Sequence, residues 1–148
     1  MGGVSKAVEE LRLADHMIYI TFPLLEDKQI FLNAVTHLGN AIRVVVKDFM
    51  TQEVAYKRVR FMPPEDLLIN EFISKYSSKI GISSFSKMIK DVTTFNNVKS
   101  RSTIKLKRND KFIVISPEYS MVALTLSEVK SYLSQAKEFV NKMKVLVK

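Results

Sequence analysis

A chain of 148 residues with 47% hydrophobic side chains is long enough for one domain with its own core and too apolar to be disordered. Absence of cysteine excludes disulfides and thiolate-ligated metals. The net charge of +8 is uneven: residues 1–40 sum to −2 and the remainder to +10, a balance that suits a polyanionic partner as well as plain solubility.

The opening MGGVSKAVEELR has no apolar signal core, and no apolar run is long enough to span a bilayer, so a cytoplasmic protein without a membrane partner is expected. Val4 to Phe22 is predicted as the first helix. Val4, Ala7, Val8, Leu11, Ala14, Ile18 and Phe22 form its stripe, and Pro23 is expected to end it because proline has no N–H to continue the ladder. The short connection then makes an antiparallel hairpin with a second helix from Lys28 to about Tyr56, capped by Asp27. Its apolar residues step by three and four from Ile30 to Phe49, which is the period of one buried face, over roughly 40 Å. Continuation through Val59 to Pro63 and Pro64 would leave its end overhanging the first helix.

Glu65 and Asp66 suit the first turn of a third helix with Leu68, Phe72, Ile73, Tyr76 and Ile80 inward and Gly81 closing it. Ser83 or Ser84 is the expected cap of a fourth, which Phe85, Met88, Ile89, Val92 and Phe95 bury and Asn96 and Asn97 weaken. From Ser102 the pattern alternates. A two-residue Asn109–Asp110 loop pairs Leu106 with Ile113 and Ile104 with Ile115, and Met121–Leu124 reads as a third short strand after a turn at Ser116–Tyr119. The face bearing Ile104, Leu106, Ile113 and Ile115 is expected to lie against the helices, because so small a sheet is not stable alone. Thr125 and Glu128 form a capping box for a last helix striped by Val129, Tyr132, Leu133, Ala136, Phe139, Val140, Met143 and Val147. The fold expected is mainly α: one antiparallel bundle of about five helices over residues 1–148, with a small β-hairpin or meander at about 102–125 before the C-terminal helix.

Two sets of residues invite a functional reading. Asp15 lies close to the centre of the first helix's apolar stripe, where a carboxylate is paired or shifted toward its neutral form. Across the hairpin it lies level with Val35, about half a turn from His37, so Asp15, His37 and Tyr19 are the catalytic candidates, with a plain structural tie as the alternative. With two histidines and no metal-binding spacing, neither a metal nor a cofactor is expected. The second set is basic. Lys99, Arg101, Lys105, Lys107, Arg108 and Lys111 crowd the hairpin, where Phe112 and Val114 among them would suit phosphates and a stacked base of RNA or DNA. Lys130, Lys137 and Lys144 line one flank of the last helix, and a solvated face explains both groups equally well.

The second helix, with Phe31, Ala34, His37, Ala41 and Arg43 among aliphatic neighbours, resembles the central helix of the HEPN superfamily of helical bundles. The resemblance covers the first two helices. The Arg-x(4–6)-His motif of that superfamily's RNases is missing, since Arg12 and His16 have the wrong spacing and sit in the first helix. The resemblance therefore implies a bundle, a tendency to dimerise and a non-catalytic relative. Three functions are carried forward: a non-enzymatic binding or scaffold protein, homodimeric through the overhanging end of the second helix or the face of a neighbouring helix; a nucleic-acid-binding accessory; and an enzyme built on Asp15, Tyr19 and His37.

Overall fold

The computed structural model describes residues 2–147. Helices α1 (Gly3–His16) and α3 (Lys28–Ala55) form the expected antiparallel hairpin, but the first helix does not stop at Pro23. It widens into a π-helical turn at Met17–Thr21, where the Phe22 N–H reaches back five residues to the Met17 carbonyl. Pro23 then sits in the opening turn of α2 (Phe22–Leu25), a position where a missing N–H costs nothing. The true end is Glu26, whose backbone turns left-handed at φ 52°.

α3 is the core of the molecule. Asp27 caps it by accepting the Gln29 N–H at 2.9 Å, and Phe31, Val35, Leu38, Ala41, Val45 and Val46 are buried along its length. Its 28 residues span about 42 Å. The overhanging continuation is absent. Glu53 is only 5% exposed on the last turn, and a buried carboxylate needs donors. The chain folds back to supply them: Lys57 takes a left-handed backbone, the Arg58 N–H bonds the Glu53 carbonyl at 2.9 Å, and Arg58 Nη1 reaches the carboxylate at 2.8 Å, with the Tyr76 hydroxyl donating at 3.3 Å.

α4 (Leu68–Tyr76) begins after Glu65 and Asp66, which lie in the preceding turn. The turn that follows it closes at Gly81 (φ 72°), with Ile82 N–H bonded to Ser77 O and Gly81 N–H to Ser78 O, a Schellman closure. α5 (Ser86–Arg101) is entered through a 3-10 turn at Ser83–Phe85, and neither serine caps it; the Ser83 hydroxyl bonds the Ser77 carbonyl instead. Asn96 does not weaken α5. Its amide nitrogen donates to the Val35 carbonyl at 3.0 Å, tying α5 to α3. That crossing requires Gly39, because a Cβ there would stand 2.2 Å from the same Asn96 nitrogen.

Strands β1 (Ile104–Arg108), β2 (Lys111–Ile115) and β3 (Met121–Thr125) form an antiparallel sheet in that order, in the expected register, with Asn109 left-handed at φ 57° in the loop. β3 runs directly into α6 (Leu126–Leu146) through the Thr125–Glu128 capping box. The face of the sheet that packs on the helices is the opposite of the one expected. Phe112, Val114 and Leu124 are buried, whereas Ile104 is 45% exposed, Leu106 46% and Met121 66%. Both faces are apolar, so alternation fixes the register without deciding which face turns inward. Shape decides it: the Phe112 ring stacks on Phe31 with centroids 3.6 Å apart, and Phe22 packs edge-on at 5.6 Å.

Candidate functional site

The three catalytic candidates are not brought together. Asp15 turns toward α6 and accepts from Lys137 Nζ at 2.7 Å. His37 Nδ1 lies 2.5 Å from Glu10 Oε2, so Glu10 rather than Asp15 is the acid that crosses to α3. Five residues of helix rotate a side chain by about 140°, which puts Glu10 and Asp15 on opposite flanks of α1. Tyr19 is half-exposed, with the Lys130 ammonium 5.3 Å from its ring centroid. Among the described residues, no group of three or more His, Cys, Asp or Glu could hold a metal ion.

The sequence did not reveal a second polar cluster at the α5–α6 seam. Lys87 Nζ donates to Asp91 Oδ2 at 2.8 Å, and the Tyr132 hydroxyl donates to the same oxygen. Burial works to raise the Asp91 pKa, but the hydrogen bonds from Lys87 and Tyr132 outweigh it and hold the carboxyl below its usual range. Burial, then the bond to Asp91, push the Tyr132 hydroxyl up. The cluster is closed upon itself and reads as a helix-to-helix tie.

The basic set divides by geometry. Lys99 turns inward and is partly buried: its ammonium lies at the α3–α5 seam, donating to the Leu32 carbonyl at 3.0 Å and to Thr36 Oγ1. Burial, and secondarily the charge of Lys105, pull its pKa down to about 8. Arg101 pairs with Glu118 at 2.9 Å, and Lys137 with Asp15. Lys144 and Lys137 border a groove of about 560 Å³ between α1 and α6, floored by Val4, Val8, Leu11 and Val140. Phe112 and Val114 are buried, which removes them as a stacking surface. A cation that sequence reading missed joins the strand: Lys28 Nζ donates to the Lys105 carbonyl at 2.8 Å across 77 positions of chain. No local signal could have placed it there. Among the described residues, no carboxylate lies within ion-pair distance of Lys28, Lys105, Lys107, Arg108 or Lys111.

The outward face of the sheet is organised in rows. Ile104, Ile115 and Met121 make the first, Leu106, Ile113 and Ala123 the second, and Arg108, Lys111 and Thr125 the third, at the hairpin end. Glu118 and Tyr119, the latter 89% exposed, project from the turn at the opposite end. No helix of the described chain covers the two apolar rows: Ile104, Leu106, Met121 and Ala123 are exposed and Ile113 and Ile115 are half-buried. None of the described helices is long and apolar enough to cross a membrane. Comparison of the chain with family models, with curated proteins and with solved structures gives no match.

Proposed function

We propose that the protein is a non-enzymatic binding or scaffold protein that pairs with a second copy of itself through the outer face of its sheet. The observation that carries this reading is the pair of uncovered apolar rows. A sheet face of that composition gains free energy only when another layer covers it. A second copy is the simplest such layer: sheet-on-sheet packing about a two-fold axis across the strands is a standard way to bury a face of this kind, and it sets the apolar rows of the two copies over one another. Three five-residue strands cover on the order of 250 Å². Even extended to Tyr119, this falls short of the ~800 Å² per partner of a tight complex, so the dimer is in the micromolar range or weaker. Sedimentation equilibrium over a wide concentration range tests it. Wild type is expected to show reversible dimerisation, and a double variant Ile104→Glu and Leu106→Glu to stay monomeric. A wild type that remains monomeric at millimolar concentration overturns the reading.

A second reading, nucleic-acid binding, is favoured by one observation: Lys28 joins Lys105 and Lys107 along the free edge of β1, with no carboxylate in the group. Retardation of RNA or DNA at low salt, weakened by changing Lys107, Arg108 and Lys111 to Gln, is its expected signature, because phosphate contacts act mainly through counterion release. No retardation at low salt removes it.

A further inference from the structure

The two edges of the sheet are guarded unequally. Ser102 Oγ bonds both the N–H and the C=O of Ile115, at 3.2 and 2.9 Å, so Ile115 turns its main-chain groups toward β1. Main-chain direction alternates along a strand, which turns Lys111 and Ile113 the same way and leaves Phe112 and Val114 to bond β3. Their partners on β3 are Leu124 and Val122. Met121, Ala123 and Thr125 therefore aim their main-chain groups away from the sheet. Glu128 Oε1 takes the Thr125 N–H at 3.0 Å. No group among the described residues bonds the N–H or C=O of Met121 or Ala123. On the opposite edge the outward carbonyl of Lys105 is covered by Lys28 Nζ at 2.8 Å. Lys105 and Lys107 also place charge along that edge, a common guard against further pairing. β3, reading Met-Val-Ala-Leu-Thr, has no charge, no proline and no bulge.

We propose that the β3 edge pairs with β3 of another copy, antiparallel about a two-fold axis through Val122, to make one six-stranded sheet. The free groups match themselves under that axis. Met121 of each copy lies opposite Ala123 of the other, so every free N–H and C=O of these two residues gains a partner. On the outer face the row of Ile104, Ile115 and Met121 runs on into Ala123, Ile113 and Leu106 of the other copy, which makes the apolar surface continuous. The pairing rests on the face-to-face reading above and adds the area that reading lacks. An axis across the strands keeps both β3 edges of a face-to-face dimer on one side. Two such dimers then join along both edges at once and close as a tetramer. Each layer covers on the order of 500 Å², twice the three-stranded value. Exposed main-chain groups gain little by exchanging water for protein, less than association costs, so the edge joins dimers and does not hold two free monomers. The guarded β1 edge stops growth there.

Sedimentation analysis of the full-length protein tests the pairing. Wild type is expected to pass from monomer through dimer to tetramer as concentration rises. Ala123→Pro removes an outward N–H at an edge position that proline tolerates, and it keeps the outer face apolar. It is expected to retain the dimer while weakening tetramer formation by about tenfold or more. The chain has no cysteine, so Val122→Cys introduces a single thiol. Across the axis it would lie beside its copy at a Cα separation of about 4.5 Å, within disulfide reach. With oxidised glutathione it is expected to give a linked pair, which Ala123→Pro in the same chain abolishes. Circular dichroism establishes that each variant is folded. A wild type that stops at the dimer overturns the edge pairing and leaves the face reading standing, whereas a wild type that stays monomeric overturns both. Tetramer formation at wild-type strength in folded Ala123→Pro, or assembly beyond four copies, overturns the edge pairing too. So does Val122→Cys that stays unlinked at tetramer-forming concentrations, whether or not Ala123→Pro folds.

Discussion

The two faces of the three-stranded sheet are built from the same kinds of residue and meet opposite fates. One carries Phe112, Val114, Val122 and Leu124 and packs on Phe22 and Phe31; the other carries Ile104, Leu106, Ile113, Ile115 and Met121 and faces outward. Hydrophobicity does not separate them. What separates them is fit: Phe112 completes a three-ring cluster that the bundle already presents, whereas the outer residues find no complementary surface within the chain. The edge strand follows the same logic: Lys105 and Lys107 stand on the covered side, half-buried and exposed respectively, and long stems of this kind can keep their ammonium groups in reach of water.

The difference can be broken at three levels. Phe112→Ala empties the ring cluster and is expected to cost about 3–5 kcal/mol in urea unfolding, the usual range for a fully buried aromatic. A loss below 1 kcal/mol would show that the covered face is not the one described. At the seam below the edge strand, Lys99 has a folded pKa of about 8, below its unfolded value, so between roughly pH 8 and 10.5 the unfolded chain binds more protons. Wild-type stability should therefore rise with pH across that window relative to Lys99→Met, by on the order of 1 kcal/mol after allowance for partial exposure and solvent screening. Equal pH profiles for the two proteins would remove the buried amine from the account. The smallest effect belongs to the outer face, where Leu106→Ala in dilute monomer should change stability by no more than about 0.5 kcal/mol.

Much of this architecture was legible from residues acting on near neighbours. The stripe of α3, the Asp27 cap, the Asn109–Asp110 hairpin with its register and the Thr125–Glu128 box are all local devices, and each stands where the pattern puts it. The errors are tertiary. Pro23 looks like a stop in the sequence because a π-helical turn, which places the proline in the opening turn of α2, leaves no trace in apolar spacing. The extension of α3 to Pro63 failed because Glu53 recruits Arg58 and Tyr76, a demand visible only once burial is known. The site was harder still. Axial level alone pairs Asp15 with His37, but the rotation about α1 gives that role to Glu10 and sends Asp15 to Lys137. Charge groups Lys99 with the candidate nucleic-acid-binding residues of the hairpin, but charge alone says nothing about which way a lysine turns.

The absence of any connector between β3 and α6 has a mechanical consequence. Thr125 is at once the last residue of the strand and the N-cap of the helix, locked by reciprocal bonds with Glu128. Strand and helix therefore cannot reorient independently without breaking that reciprocal pair of bonds, so the angle at which α6 leaves the sheet is set at a single residue.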